Sequence, residues 1–118
     1  MTETSRRVWI VGCPGAELLD ITGPWEVLCH ANDVLERRAY ELQLVVPLGG
    51  AVDTRHGLTI GPARSLRQAS RAGRPHTLMV AGADPRPASS PAQLDLVRWL
   101  RRHHHALTRV ASICTGAF

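Results

Sequence analysis

Apolar positions along the chain fall into two periodicities. Short continuous runs at Val8 to Val11, Tyr40 to Val46, Thr77 to Ala81 and Val110 to Ile113 have the length and β-branched character of strands buried on both faces of a parallel sheet. Between them, apolar residues recur at helical spacing: Val27, Leu28, Ala31, Val34 and Leu35 after Pro24, and Leu94, Val97, Leu100 and Leu107 after Pro91. Pro24 predicts a helix that starts there, because the N–H it lacks would be unpaired in a first turn anyway, and Arg37 and Arg38 suit the far end of the dipole. Ser90 and Gln93 form a capping-box pattern around Pro91. Gly49-Gly50 opens a different texture. Ala51 to Thr54 and Leu58 to Ile60, split by Arg55, His56 and Gly57, predict a small antiparallel excursion. Arg64, Arg67, Arg71 and Arg74 follow at mostly helical spacing and read as a solvated helix face, with a phosphate-binding stripe as the alternative. The order strand, helix, strand, hairpin, strand, helix, strand predicts an α/β fold, a mostly parallel sheet with helices on both faces and right-handed crossovers.

Ligands in such sheets bind beyond the carboxyl ends of the strands, where three loops should meet: Gly12 to Asp20, Gly82 to Pro85, and the turn at Cys114. The 118 residues suffice for one modest core, so residues 1–118 read as part of a single domain. Cys13, Cys29 and Cys114 are an odd set without metal-type spacing, which argues against a disulfide framework and for a reducing cytoplasm. The apolar run Val8 to Val11 is too short for a signal-peptide core or a membrane span, so no membrane partner is expected. Net charge is +4, and every basic residue is Arg, a usage that points to GC-rich coding as readily as to nucleic-acid contacts.

The sharpest chemistry lies at Cys114. It follows a strand directly, and Thr115, Gly116 and Ala117 are small enough for a tight turn into a helix whose free N–H groups would favour a thiolate. A buried, inert cysteine is the equal alternative. Asp20 reads either as a turn or cap residue before the helix at Pro24, or as a carboxyl that exchanges a proton with Cys114, and Glu17 competes for that second role. The N–H groups at Gly82 and Ala83 and after Cys114 are candidate anion donors. His103, His104 and His105 do not read as a metal site, because adjacent helical side chains diverge by about 100°. His30, His56 and His76 are scattered, and neither a metal nor a cofactor is expected.

The stretches Val110 to Phe118 and Glu17 to Pro24 resemble the PfpI-type superfamily, a cysteine-elbow branch of the class I glutamine amidotransferase-like, flavodoxin-like fold. Leu19-Asp20-Ile21-Thr22-Gly23-Pro24 and Cys114-Thr115-Gly116-Ala117-Phe118 are most similar to two groups, the N-terminal domain of AraC-type transcription regulators and the isonitrile hydratase-like enzymes. The resemblance implies Cys114 as nucleophile, Asp20 as acid and Thr115 as an assisting hydroxyl, with ligand contacts at Gly82, Ala83 and Gly23. Gly82-Ala83 departs from the Gly-Gly usual in that loop, and Ala tolerates a positive φ poorly. The leading expectation is the ligand-sensing N-terminal part of an AraC-type regulator that binds a small molecule, acts as a homodimer, and reaches DNA only through a C-terminal domain absent here. The alternatives are a cysteine-dependent hydratase-like enzyme and a non-functional remnant. The sequence stops just after the elbow, so it is read as an incomplete domain that leaves one face of its sheet bare and is poorly soluble without a partner.

Overall fold

The computed structural model describes residues 4–83 and 90–117. Four parallel strands form the main sheet: β1 (Arg6–Val11), β2 (Tyr40–Val45), β5 (Thr77–Val80) and β6 (Arg109–Ser112), in the order β2-β1-β5-β6. Between β2 and β5 lie the antiparallel pair β3 (Gly50–Asp53) and β4 (Thr59–Ala63) and a short helix α2 (Leu66–Arg71). The long helices α1 (Leu18–Leu35) and α3 (Pro91–His103) connect β1 to β2 and β5 to β6. The mixed α/β architecture with a mostly parallel sheet is the one the apolar periodicity predicts. None of the described helices is long and apolar enough to cross a membrane.

β1 is the central strand, and alternation along it builds two cores. Trp9 and Val11 point to one side, where they pack with Val45, Leu66, Ala69, Leu78, Ala92, Leu96 and Leu107 under α2 and α3. Val8 and Ile10 point to the other, where α1 supplies Ile21 and the β3–β4 hairpin supplies Val52. Trp9, Ile10 and Val11 are fully buried, and burying three such side chains stabilises the fold by several kcal/mol, at roughly 1.5–3 kcal/mol each. The expectation of a bare sheet face therefore fails along Val8 to Val11 of β1, while in β2 only Val45 is fully buried. The elbow strand differs: all four residues of β6 are exposed, although Val110 to Ile113 had predicted a buried strand. Among the described residues β6 pairs only with β5, as an edge strand.

Two helix assignments change in three dimensions. The first helix begins at Leu18, so Pro24 lies inside it and Asp20 falls in its first turn. A proline ring there collides with the Cβ of the preceding residue, and Gly23 has none. Gly23 thus serves the proline within α1, and apart from its chain neighbours nothing lies within 4 Å of an added Cβ there. The buried stripe of α3 is also rotated from expectation. Ala92 and Leu96 are buried and Trp99 and Leu100 pack beside them, whereas Leu94 and Val97 are close to half exposed. The repeat i, i+4, i+7, i+8 covers the sheet equally well and also seats the indole. The Ser90–Gln93 capping box is present, Leu107 joins the core, and a second capping box at Ser65 and Gln68 starts α2. Asp84, Pro85 and the Pro- and Ser-rich loop after them lie outside the described residues, as does Phe118.

The rotated register has a direct test. Leu96→Ala is expected to destabilise the protein by about 2–5 kcal/mol in urea unfolding, as for a buried leucine, and Leu94→Ala by under about 1 kcal/mol. The opposite ranking would restore the stripe read from sequence.

Candidate functional site

The parallel ladder brings the carboxyl ends of β1, β5 and β6 to one level. Each strand continues one bond past its end: Ala81 N–H donates to Val11 carbonyl (3.0 Å) and Ile113 N–H to Val80 carbonyl (2.9 Å). The chain then turns at Cys114, whose φ of +54° is left-handed, and runs into a single 3-10 turn from Cys114 to Ala117. A positive φ is rare for a residue with a Cβ, and strain of this kind concentrates at functional turns. Cys114 is exposed, against the alternative of a buried cysteine. The turn is pressed against β5. A Cβ on Gly116 would lie 2.1 Å from the Val80 carbonyl oxygen, so only glycine fits, and Gly116 N–H closes the turn on Ile113 carbonyl at 2.9 Å.

Asp20 and Thr115 meet this elbow through the Gly82 loop. Gly82 N–H donates to Asp20 Oδ2 (3.1 Å). Ala83 N–H donates to Thr115 Oγ1 (3.2 Å), and that hydroxyl donates in turn to Ala83 carbonyl (3.0 Å). Three groups crowd Gly82: an added Cβ would stand 2.7 Å from Asp20 Oδ2, 3.0 Å from Thr115 Oγ1 and 3.1 Å from Thr115 N. Asp20, Gly82, Ala83 and Thr115 are thereby brought together, with Cys114 next to Thr115 in the chain, and among the described residues Gly23 has no neighbour of this cluster within 4 Å of an added Cβ. The N–H groups of Gly82 and Ala83, expected as donors to a bound anion, are spent inside the cluster. Their role here is to tie Asp20 and Thr115 to one loop.

Glu17 takes a different part. Its carboxylate pairs with Arg55 at 2.6 Å, and its N–H donates to Gly82 carbonyl at 2.8 Å. The tip of the β3–β4 hairpin reaches the site through the same pair, because Arg55 N–H donates to Ala16 carbonyl (3.0 Å) and Gly15 N–H to Asp53 carbonyl (2.8 Å). Arg55 and Gly116 were not singled out from sequence as site residues. The first is 38 residues from its partner, and the second shows its need only as a contact with another strand. Among the described residues no group of three His, Cys, Asp or Glu could hold a metal ion. His104 and His105 instead meet edge to face, and the His103 ring lies against Trp99.

The other two cysteines lie apart. Cys29 is half-buried in α1, and Cys13 is buried in the α2–α3 core, where burial pushes its thiol up to about 11. Its thiol is ordinarily near 9.0 when unfolded. The unfolded chain therefore binds fewer protons between about pH 9 and 11, and stability falls across that window by roughly 2–3 kcal/mol. Cys13→Ala should flatten the decline in pH-dependent urea melts. Iodoacetamide at pH 8 should modify Cys114 in the folded protein and Cys13 only after unfolding. Gly116→Ala should cost about 1–3 kcal/mol or more through overpacking against Val80, read as a lowered Tm.

Comparisons with known proteins bear on this arrangement. A family model described as the DJ-1/PfpI family matches residues 6–118. A Streptomyces lividans protein, described as an uncharacterized protein in the cpoL 5′ region, is 36% identical over 118 residues, covering the whole of this chain and 79% of that one. An AraC family transcriptional regulator from Pseudomonas putida superposes with a TM-score of 0.78 at 20% identity, over 95% of this chain and 66% of that one. Drosophila melanogaster DJ-1beta superposes with a TM-score of 0.70 at 21% identity, over 97% and 57%. The chain thus spans roughly three-fifths to two-thirds of those two solved structures.

Proposed function

The chain belongs to the DJ-1/PfpI family, and from that premise we propose that it is a cysteine-dependent unit acting on small electrophilic carbon compounds, with isonitriles as the substrate class. The observation that carries the reading is the convergence of Asp20 and Thr115 on Gly82 at the foot of an exposed cysteine held at positive φ. Asp20 carboxylate takes the Cys114 thiol proton, and the sulfur adds to the isonitrile carbon. Asp20 returns the proton to that carbon, leaving a thioimidate on Cys114. Water then adds to the same carbon while its nitrogen takes up a proton, and expulsion of the thiol yields an N-substituted formamide, for a net addition of one water. Thr115 N–H, which faces the space beside Gly82, donates to charge that develops during addition.

A second reading assigns the same pocket to ligand sensing, and the fold shared with an AraC family transcriptional regulator supports it. In that role Cys114 and Asp20 line the pocket without turnover, and DNA binding would reside in a further domain. Either role takes a small molecule as partner and fits a homodimer.

Formamide production from an alkyl isonitrile, followed by proton NMR on the full chain, separates the two. The enzyme reading expects turnover that falls about 10²–10⁴-fold in Asp20→Asn, disappears in Cys114→Ser and persists in Cys13→Ser. Saturable binding of the isonitrile without formamide would replace that reading with the sensor. Neither binding nor turnover would remove isonitriles as the ligand class.

A further inference from the structure

On the sheet face opposite α1, the inner sides of α2 and α3 meet through Leu66, Ala69, Ala92 and Leu96. Between their outer flanks lies an open groove of about 520 Å³. Arg67 and Arg71 line it from α2, and Arg98 and Arg102 line it from α3. Residues four apart on a helix stand one above the other, about 6 Å apart along the axis, so the groove has two arginines on each wall. Asp95 is the one carboxylate in the lining. Among the described residues, none of the four arginines makes an ion pair or a side-chain hydrogen bond.

The walls are fixed to each other. Trp99 Nε1–H donates to Ser70 Oγ at 2.9 Å, which ties α3 to α2, and the indole is held between Trp9 (5.3 Å between ring centroids) and His103 (4.6 Å). The concentration of positive charge reaches His103 on the rim, whose protonation is depressed below the ordinary histidine range by burial and then by Arg74, Arg102 and His105. Like-charged walls repel and are loaded most favourably by a ligand that brings several negative charges at once. Guanidinium forks match phosphate oxygens two at a time. A duplex spreads its phosphates over a broad face, whereas these charges line opposite sides of a cleft within the range of small-molecule sites.

We propose that the α2–α3 groove binds an oligophosphate, a small molecule with two or three linked phosphate groups. The inference does not rest on the chemistry at Cys114, because the groove lies along two helices rather than at the strand ends.

Inorganic triphosphate titrated into the full chain by calorimetry tests it. Saturable one-to-one binding is expected, at least tenfold weaker in Arg98→Gln/Arg102→Gln and less than twofold weaker in Arg38→Gln/Arg109→Gln, which removes equal charge elsewhere. In NMR titrations, bound triphosphate should raise the His103 pKa by offsetting Arg74 and Arg102, with Asp95 and His105 as the other nearby titrating groups. Equal losses in the two double variants, non-saturating binding, or a His103 unmoved at saturation would overturn the proposal. A nucleoside triphosphate binding as tightly as inorganic triphosphate would support it. Affinity for single-stranded oligonucleotides that exceeds both and climbs with length would overturn it in favour of a nucleic-acid backbone.

Discussion

The parallel register across β1 is the constraint on which the rest of this molecule depends. Val8 to Val11 pair on one side with Leu42 to Val45 and on the other with Thr77 to Val80. Because successive side chains alternate faces, a slip of one residue would move Trp9 and Val11 into the α1 core and Val8 and Ile10 under α3. The two cores differ in shape, one built around an indole that meets Trp99 and the other around Ile21 and Val52. That difference fixes the register, and the register sets the height at which β1, β5 and β6 end.

Function is placed by what happens just past those ends. Three loops are joined by hydrogen bonds: backbone to backbone between Gly12 to Glu17 and the hairpin tip and between Glu17 and Gly82, and from the Ala83 backbone to the Thr115 hydroxyl. No buried side-chain polar atom among the described residues is left unsatisfied. The same net makes two glycines compulsory. Gly82 and Gly116 each stand where a Cβ would overlap a neighbour, so the acid, the hydroxyl and the thiol are assembled by close backbone approach. Close approach of this kind holds Asp20 and Thr115 in position, next to a backbone strained at Cys114.

Charge is distributed with equal consequence. At the strand ends Arg55 is matched by Glu17, and on β1 Arg7 is met by Glu41 at 3.7 Å. The helices α2 and α3 instead bring four arginines to one cleft against one aspartate. The tie between Trp99 and Ser70 holds that cleft open at a fixed width and links its geometry to Trp9 in the core. A surface feature is thereby built on the same strand that organises the site.

The sequence by itself determined the class of the fold, because buried parallel strands and amphipathic helices leave different periodicities. It also marked the elbow: a strand, then Cys114, then three small residues in a row is a local pattern with a local meaning. The capping box at Ser90 and Gln93 was legible for the same reason, since its bonds join residues three apart. What depended on distant partners was decided only by the tertiary structure. The facing of α3 around Leu96 and the pairing of Glu17 with Arg55 each rest on a neighbour far along the chain. The arginine spacing illustrates the division. Sequence could place Arg67 and Arg71 on one helix face, and only the packing of α3 beside it turned that face into one wall of a groove.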